Sequence, residues 1–467
     1  MPDLRGKTLV GRFFHAPTCG RVEALDEALL KIGQDGVIEA RHLRTDPAFS
    51  AEASRAERAG LLVRAPSSGY FLPGFVDLHI HAPQYPQLGT ALDRPLEDWL
   101  QRYTFPLEAR FADLAFARRV YSALVEDLLA HGTTTALMFA TIHQEATQLL
   151  ADISLEKGLR ALVGKTAMDD AAVCPDFYRD PSAGAALEGT EALIEYIRGH
   201  PANTAGLVRP VVTPRFAPSC TDPLLRGLGE LARRCGCHVQ THCSESDWEE
   251  GYVQSRTGKR DAEYLDDCGL MTSRTILAHG VLLSDTDMDL IQARQSGVAH
   301  CPLSNVYFST AVFPLRAALE KGLRVGLGTD IAGGPSVSML DAIRMTVTAS
   351  RMLDEGVDPA LPPDRRGRKG ARQDWRVAFH LATAGGAAAL GLDVGTFEPG
   401  HAFDAQLIDL DAPGGTIRLL DDPISSEALL EKILYSASRP NIAEVWVAGR
   451  AVSGALNACL QADASAR

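Results

Sequence analysis

Phe75-Val-Asp-Leu-His-Ile-His-Ala-Pro-Gln84 is an apolar segment that ends in two histidines, and it carries more structural information than any other stretch of the chain. Side chains two residues apart on a strand point to the same face, so His79 and His81 can reach one metal ion. Pro73 and Gly74 precede the apolar run and Pro83 comes just after its second histidine, which marks both ends of a strand. Histidine pairs of this kind also occur without a metal, so the rest of the chain has to decide their role.

Seven further apolar segments follow this strand and alternate with stretches of helical length. The helical stretches include Ala117–Ala130 and Asp285–Ser296. The predicted strand ends are His79 and His81, followed by Gly132–Phe139, Ala161–Lys165, Val208–Thr213, His238–His242, Thr275–His279, Val298–Pro302 and Leu323–Asp330. Eight buried strands that alternate with helices predict an α/β protein built on a (β/α)₈ TIM-like barrel.

The two chain ends differ from the barrel region. Short β segments such as Thr8–Phe14, separated by polar turns, occupy residues 1–70. Strand-like segments return at Phe403–Leu410 and Glu444–Val452. We therefore expect residues 1–70 and 393–467 to form a small β-sandwich domain together.

The metal-dependent barrel is predicted to cover residues 71–392. Near its end, the small residues of Ala382–Leu390 indicate a helix that packs closely against the barrel. The segment 356–373, which is rich in proline, arginine, glycine and lysine, is predicted to be an exposed loop.

Composition places the chain among ordinary globular proteins. Its 467 residues are 46% apolar and 22% charged, and the mean hydropathy is -0.04. A net charge of -13 argues against nucleic acid or an anionic membrane surface as the main partner. We find no signal peptide and no run of the roughly 18 apolar residues that a membrane span needs. Nine scattered cysteines, an odd number, suit a reducing cytoplasm.

One cysteine motif offers an alternative metal site. Cys235-Gly-Cys237-His238 places two thiols next to an imidazole, but the spacing is not Cys-x-x-Cys. The sequence that follows is typical of a buried strand, so we interpret both cysteines as free thiols.

Polar residues at the predicted strand ends suggest a different metal site. Catalytic groups of such barrels lie where strands end and βα loops begin, and five metal-binding side chains occupy that position: His79, His81, His242, His279 and Asp330. Imidazoles and a carboxylate suit Zn²⁺ with a position left for water, and Fe²⁺ would accept the same ligands. Each residue alone has a plainer interpretation, and Asp330 could cap the next helix. Five at one end of the barrel favour a metal.

Glu245 follows His242 by three residues, just beyond the fifth strand. A carboxylate in this place can carry a proton between water and a substrate. The alternative is a solvated acid in the acidic loop that contains Asp247, Glu249 and Glu250.

These motifs resemble the amidohydrolase superfamily and, more narrowly, its guanine deaminases, over most of the chain from about 70 to 410. Pro73–Tyr85 is similar to the first-strand signature of the family, and Trp99–Phe111 is similar to its substrate lid, within residues 93–112. The ends of the fourth, seventh and eighth strands also match, at Thr213–Phe216, Cys301–Asn305 and Leu327–Asp330.

The resemblance implies a role for each motif residue. His79, His81, His242 and Asp330 would hold one zinc ion per subunit, and His279 would lie beside the water or the substrate. Gln84, Arg215 and Phe216 would contact guanine, and Trp99 offers a further flat surface for stacking. Lys165 lies where some superfamily members carry a metal-bridging lysine, but the pattern implies a mononuclear site, so Lys165 receives no metal role. Without the resemblance, Arg215 would be interpreted as a surface arginine, Gln84 as a polar loop residue, and Phe216 and Trp99 as core aromatics.

The implied activity is zinc-dependent hydrolysis of guanine to xanthine and ammonia in purine catabolism or salvage, by a cytoplasmic homodimer. In this scheme Asp330 takes a proton from water, and Glu245 protonates the purine ring and then the departing amine. The rivals are a related enzyme for a triazine or 8-oxoguanine, and a non-catalytic relative that serves as a scaffold. The chain lacks the Pro-Cys-x-x-Cys motif of cytidine-type deaminases.

Overall fold

The computed structural model describes residues 2–309, 311–420 and 424–453, and it contains two sheets. The strands are β1 (Thr8–Thr18), β2 (Arg21–Ile32), β3 (Ile38–Leu43), β4 (Leu62–Arg64), β5 (Gly69–Pro73), β6 (Phe75–His81), β7 (Thr133–Phe139), β8 (Arg160–Gly164), β9 (Thr166–Ala167), β10 (Val208–Pro214), β11 (His238–Cys243), β12 (Thr275–His279), β13 (Gly297–His300), β14 (Arg324–Leu327), β15 (Ala405–Asp409), β16 (Ile442–Val447) and β17 (Arg450–Ser453).

The helices separate most of these strands. They are α1 (Phe49–Arg58), α2 (Leu96–Trp99), α3 (Phe105–Ala109), α4 (Leu114–Ala130), α5 (Gln144–Lys157), α6 (Ala183–Gly199), α7 (Asp222–Cys235), α8 (Asp247–Thr257), α9 (Asp261–Asp267), α10 (Asp285–Arg294), α11 (Pro302–Phe308), α12 (Leu315–Glu320), α13 (Met339–Glu355), α14 (Trp375–His380), α15 (Gly386–Leu390) and α16 (Ser426–Ser436). Short 3₁₀ turns lie at Ala82–Gln87, Arg110–Ala112, Ala217–Ser219 and Arg439–Asn441, and π-helical turns lie at Leu100–Thr104 and Leu381–Gly385.

The parallel sheet forms the predicted barrel. Its strands follow one another in the order β6, β7, β8, β10, β11, β12, β13, β14, and the short β9 pairs with β10. Past the end of β14, Asp330 N donates to His79 O at 2.9 Å, and His81 N donates to Ile331 O at 2.9 Å. These two hydrogen bonds join the last strand to the first, so the barrel closes at the edge that carries the histidine pair.

A buried aspartate strengthens this closure. Asp77 Oδ1 accepts hydrogen bonds from Thr329 N at 3.0 Å and from His79 N at 3.2 Å. Because the carboxylate bridges the first strand and the end of the eighth, it fixes the register at which His79 and Asp330 face each other.

Small residues allow the predicted close packing after α14. Among the described residues, Gly326 of β14 lies so near Gly386 of α15 that a Cβ on Gly326 would be 2.7 Å from Gly386 Cα. Glycine at this place lets the helix contact the strand backbone directly, and α15 covers apolar barrel residues such as Val76 and Leu78.

Strands from both chain ends form the second sheet, in the order β17, β16, β15, β5, β1, β2, β3, with β4 paired to β1. The small β-sandwich domain predicted from both chain ends is present as a strand-rich sheet that both ends build, and all eight of its strands belong to one hydrogen-bonded sheet. The first two strands are longer than the short segments expected from the sequence, because β1 and β2 continue through irregular register as one antiparallel hairpin. The boundaries at 70 and 393 stay predictions, as does the structure of residues 454–467, which lie outside the described residues.

Residues 356–373 connect α13 to α14 without a helix or strand and are mostly exposed, as the sequence predicts. None of the helices in the described ranges is both long and apolar enough to cross a membrane.

Candidate active site

The carboxyl ends of four barrel strands bring the predicted metal-binding side chains together. We call His79, His81, His242, His279 and Asp330 the metal cluster. Asp330 Oδ1 lies 3.2 Å from His79 Nε2 and 3.6 Å from His81 Nε2, and the Nε2 atoms of His81 and His242 are 3.0 Å apart. His279 Nε2 lies 3.9 Å from Asp330 Oδ2. The five side chains therefore point their metal-binding atoms into one small volume.

Hydrogen bonds to Nδ1 orient the imidazole rings of His242 and His279 so that their Nε2 atoms face the centre of the metal cluster. His242 Nδ1 lies 2.5 Å from the carbonyl oxygen of Arg215, which can only accept, so Nδ1 carries the proton and Nε2 is a free lone pair. His279 Nδ1 is 3.0 Å from Asn305 Oδ1, which orients the second ring in the same way. The Nε2 atoms of His79 and His279 are buried without a hydrogen-bond partner. These unpaired nitrogens fit ligands of a divalent metal ion.

Burial keeps the imidazoles in the form that binds metal. It lowers the pKa of His79, His81 and His242 well below the usual value, and it also lowers the pKa of His279. Neutral imidazoles with a nearby carboxylate are the donor set that Zn²⁺ and Fe²⁺ accept.

The backbone at the cluster adopts conformations that side chains rarely occupy. Ser244, His279 and Asp330 have φ values of 51°, 72° and 51°. Positive φ at non-glycine residues costs free energy and is often found at functional sites. Asp330 does not cap the helix that follows, because α13 begins after Ser338, so the alternative of a helix cap is wrong.

Glu245 lies beside the metal cluster rather than in a solvated loop. Its side chain is buried, and Oε1 is 3.6 Å from His279 Nε2. Burial, and next the charge of Asp330, raise the pKa of Glu245 to about 8. The backbone N–H of Glu245 donates to Glu249 Oε2 at 2.7 Å, so a second buried carboxylate fixes its position. The interpretation of Glu245 as a solvated acid is therefore wrong.

A cavity of about 410 Å³, measured with the space open to solvent at its mouth, lies directly over the cluster. Its wall contains the predicted substrate-binding residues Gln84, Trp99, Arg215 and Phe216. Residues 93–112, which we call the lid segment, cover the cavity with Leu96, Trp99 and Leu100. Aromatic and apolar walls around a few polar groups suit a flat heterocyclic ligand.

Sequence reasoning missed Glu108, which lies in the lid segment behind this wall. Glu108 is fully buried, and it receives hydrogen bonds from Gln84 Nε2 at 2.9 Å and from Arg215 Nη1 at 2.7 Å. The available signal was a single acid in the apolar run Phe105-Pro-Leu-Glu108, because buried acids are rare unless they are paired. Its partners are more than 20 residues away in either direction, so the sequence alone could not identify them.

Lys165 and the Cys235–His238 motif, which were also considered from the sequence, lie outside the metal cluster. Lys165 Nζ donates to Asp180 Oδ1 at 2.7 Å, as half of a buried ion pair. Cys235 and Cys237 carry free thiols, and His238 Nε2 contacts Leu390 O at 3.0 Å.

Comparison with known proteins places this geometry in a family. Residues 70–452 match the model of the Amidohydrolase family. A probable guanine deaminase of Schizosaccharomyces pombe is 37% identical over 450 residues, which covers 95% of this chain and 83% of the relative. The guanine deaminase of Homo sapiens is 36% identical over 459 residues, 95% of each chain. The crystal structure of a guanine deaminase from C. acetobutylicum with guanine bound in its active site superposes with a TM-score of 0.85 at 29% identity and covers 96% of this chain and 100% of that one.

Proposed function

The chain belongs to the amidohydrolase family, and from that premise we propose that it hydrolyses guanine to xanthine and ammonia. The observation that carries the proposal is the position of the cavity, which sets Gln84, Arg215 and Phe216 directly over the metal cluster and Glu245. Relatives named guanine deaminases match along nearly the whole chain, which supports the same substrate.

The proposed cofactor is one Zn²⁺ per subunit, held by His79, His81, His242 and Asp330, with Fe²⁺ as the alternative that the same donors accept. When bound, such an ion would supply Lewis-acid activation of water, because it lowers the pKa of a water molecule to about 7. The unpaired His79 Nε2 and the converging Nε2 atoms of His81 and His242 support this ligand set.

Proton transfer is assigned to two buried carboxyl groups. Asp330 takes a proton from the attacking water, because its carboxylate lies at the floor of the cavity and its own pKa is raised by burial. Glu245, whose pKa is raised to about 8, holds a proton near neutral pH and gives it to the ring nitrogen next to the attacked carbon. Glu245 then takes the proton of the hydroxyl group that water has left on the attacked carbon and passes it to the departing amine. When ammonia has left, the proton held by Asp330 returns to Glu245, so both carboxyl groups regain their starting states. His279 Nε2 lies close enough to both acids to orient the water.

Recognition of guanine is assigned to the cavity wall. Arg215 and Gln84 offer fixed hydrogen bonds for the ring carbonyl and the ring nitrogens, and Phe216 and Trp99 offer flat surfaces for the purine. Phe216 also contacts Trp248 at a ring-centroid distance of 5.8 Å, which holds its orientation.

The wider setting follows from the family resemblance. We propose that the enzyme acts in purine catabolism or salvage, in the cytoplasm, and as a homodimer. Size-exclusion chromatography with light scattering tests the homodimer, since a single 50.2 kDa chain and a pair differ twofold in mass.

The direct test is ammonia release from guanine by the purified, zinc-loaded protein, followed together with the absorbance change of the purine. We expect turnover that disappears on chelation and returns with zinc. A panel that contains 8-oxoguanine and an aminated triazine decides between guanine and the rival heterocycles. Absence of ammonia from guanine, with metal bound, contradicts the proposal.

A further inference from the structure

Glu108 is the centre of a buried hydrogen-bond network that joins the lid segment to the cavity wall. Its Oε2 accepts from Arg215 Nη1 at 2.7 Å and from Tyr178 OH at 2.6 Å. Its Oε1 accepts from Arg215 Nη2 at 3.1 Å and from Gln84 Nε2 at 2.9 Å. Four donors therefore surround the two oxygens, which is the arrangement of an ionised carboxylate in a bidentate pair with arginine.

The network fixes the orientation of the Gln84 amide. Gln84 Oε1 accepts from the backbone N–H of Ala332 at 3.2 Å, and Nε2 donates to Glu108. A backbone N–H can only donate and a carboxylate can only accept, so the amide has a single orientation that satisfies both. One hydrogen of Nε2 is left for a ligand, and Gln84 therefore presents a donor to the cavity.

The same network neutralises the charge of the cavity wall. Arg215 is almost completely buried in the cavity wall. Without Glu108 it would be an unpaired cation that attracts anions. Burial opposes its charge, but the attraction and hydrogen bonds of Glu108 outweigh that effect and raise the pKa of Arg215. The Phe105 ring, 4.9 Å from the guanidinium carbon, covers the pair from the lid segment.

We propose that Glu108 is a positioning residue that makes the wall electrically neutral and turns Gln84 into a donor, so that the cavity selects a neutral purine over a purine anion. This inference rests on the proposed function. It also has a consequence for turnover, because a product with two ring carbonyls loses a ring proton more readily than its substrate. A neutral wall does not retain that anion.

The test compares a neutral ligand with an anionic one in variants of Glu108. The measurements are kcat and KM for guanine, and the inhibition constant and calorimetric Kd of xanthine at pH values below and above its ring ionisation. Glu108→Gln removes the charge with almost no change of shape. We expect the KM for guanine to rise and the Kd of the xanthine anion to fall relative to that KM. The ratio of the guanine KM to the Kd of the xanthine anion should increase at least about tenfold, because one charge-assisted hydrogen bond contributes that much.

Two matched variants separate charge from structure. Glu108→Asp keeps the negative charge but shortens the side chain, so both ligands should weaken together. Tyr178→Phe removes one hydrogen bond to Glu108 and leaves the contacts of Glu108 with Gln84 and Arg215. We therefore expect a smaller loss of binding affinity, again equal for both ligands. An unchanged ratio in Glu108→Gln, or the same shift in Glu108→Asp, overturns the inference.

The wild-type protein provides a test that needs no variant to fold. If the wall is neutral, the wild-type protein binds the xanthine anion no more tightly than it binds neutral xanthine. The KM for guanine, measured over the same pH range, is the reference. Tighter binding of the anion overturns the inference even when guanine turnover is normal. Failure of the proposed function has a different signature, namely no ammonia from guanine while calorimetric binding is still measurable.

Discussion

The metal cluster and the lid segment both line one cavity, but they are built in different ways. The cluster stands on the ends of parallel strands, whose positions the barrel closure fixes through the hydrogen bonds between Asp330, His79 and their neighbours. The lid segment is a run of short helical turns, and its polar residue Glu108 is positioned by partners from other elements. The chemical steps are therefore assigned to the metal cluster on the strand ends. Substrate recognition is assigned to the lid segment and to the residues that pair with it over long distances in the sequence. If this division is correct, changes to residues of the chemical steps lower kcat and changes to recognition residues raise KM.

The largest effect is expected from a ligand of the metal cluster. His242→Ala removes a buried nitrogen whose ring is oriented by the carbonyl of Arg215. Loss of a residue that only hydrogen-bonds a metal ligand lowers metal affinity by roughly 10–100-fold. Loss of the ligand itself should lower metal affinity by more than that, and turnover should vanish with it. Metal analysis of the purified variant is the measurement.

A second histidine of the same strand is the matched control for that change. His238 is also buried on β11 but contacts Leu390 O, away from the cluster. His238→Gln should keep one metal ion per chain. A stoichiometric metal content in His242→Ala would remove that residue from the ligand set.

The next effect in size concerns proton transfer. Glu245→Gln keeps the size of the side chain beside His279 but removes its ability to release a proton. We expect kcat to fall by roughly 10²–10⁴-fold with the metal retained, which is the usual contribution of a general acid or base. Parallel assays of metal content and kcat check this, and a kcat near the wild-type value would exclude Glu245 from the reaction.

The same division explains how far the sequence could be interpreted. Strand ends are recognisable because a buried apolar run stops at a polar residue, and parallel strands place those residues at one edge, as for His79 and His242. The barrel was predicted in this way, whereas the β-sandwich of the chain ends was predicted from short β segments near both ends of the sequence. No local pattern specifies that Glu108 meets Arg215 across more than 100 residues, or that β1 and β2 form a long hairpin. Such pairs depend on packing, which spacing along the chain does not encode.

Arg215 follows the barrel strand β10, but its pair with Glu108 joins it to the lid segment, and among the recognition residues Arg215→Ala should have the largest effect. The change removes a substrate contact and also leaves Glu108 as a buried charge without its main partner, which costs about 3–5 kcal/mol of folding free energy. We expect KM to rise about 10–100-fold, the loss of a charge-assisted hydrogen bond, with a clear fall in Tm.

A double variant separates the two consequences. When Glu108→Ala is combined with Arg215→Ala, neither charge of this pair remains buried without its partner, so the double variant should be more stable to urea than Arg215→Ala alone. A double variant that is less stable than either single one would show that the pair contributes little through its charges.

The smallest effect, and the sharpest check on the division, is expected for Trp99 in the lid segment. Its ring lies 5.0 Å from that of Phe308, and its Nε1–H donates to Thr90 O at 3.2 Å. Trp99→Phe keeps an aromatic face over the cavity but loses the hydrogen bond and part of the surface, so KM should rise about 2–10-fold with little change in kcat. Trp375 is the matched control, because it is equally buried, at 4% exposure against 3%, and lies on α14 outside the cavity. Trp375→Phe should change Tm only. If Trp99→Phe instead lowers kcat at constant KM, the lid segment takes part in the chemical step, because only an interaction made in the transition state changes kcat alone.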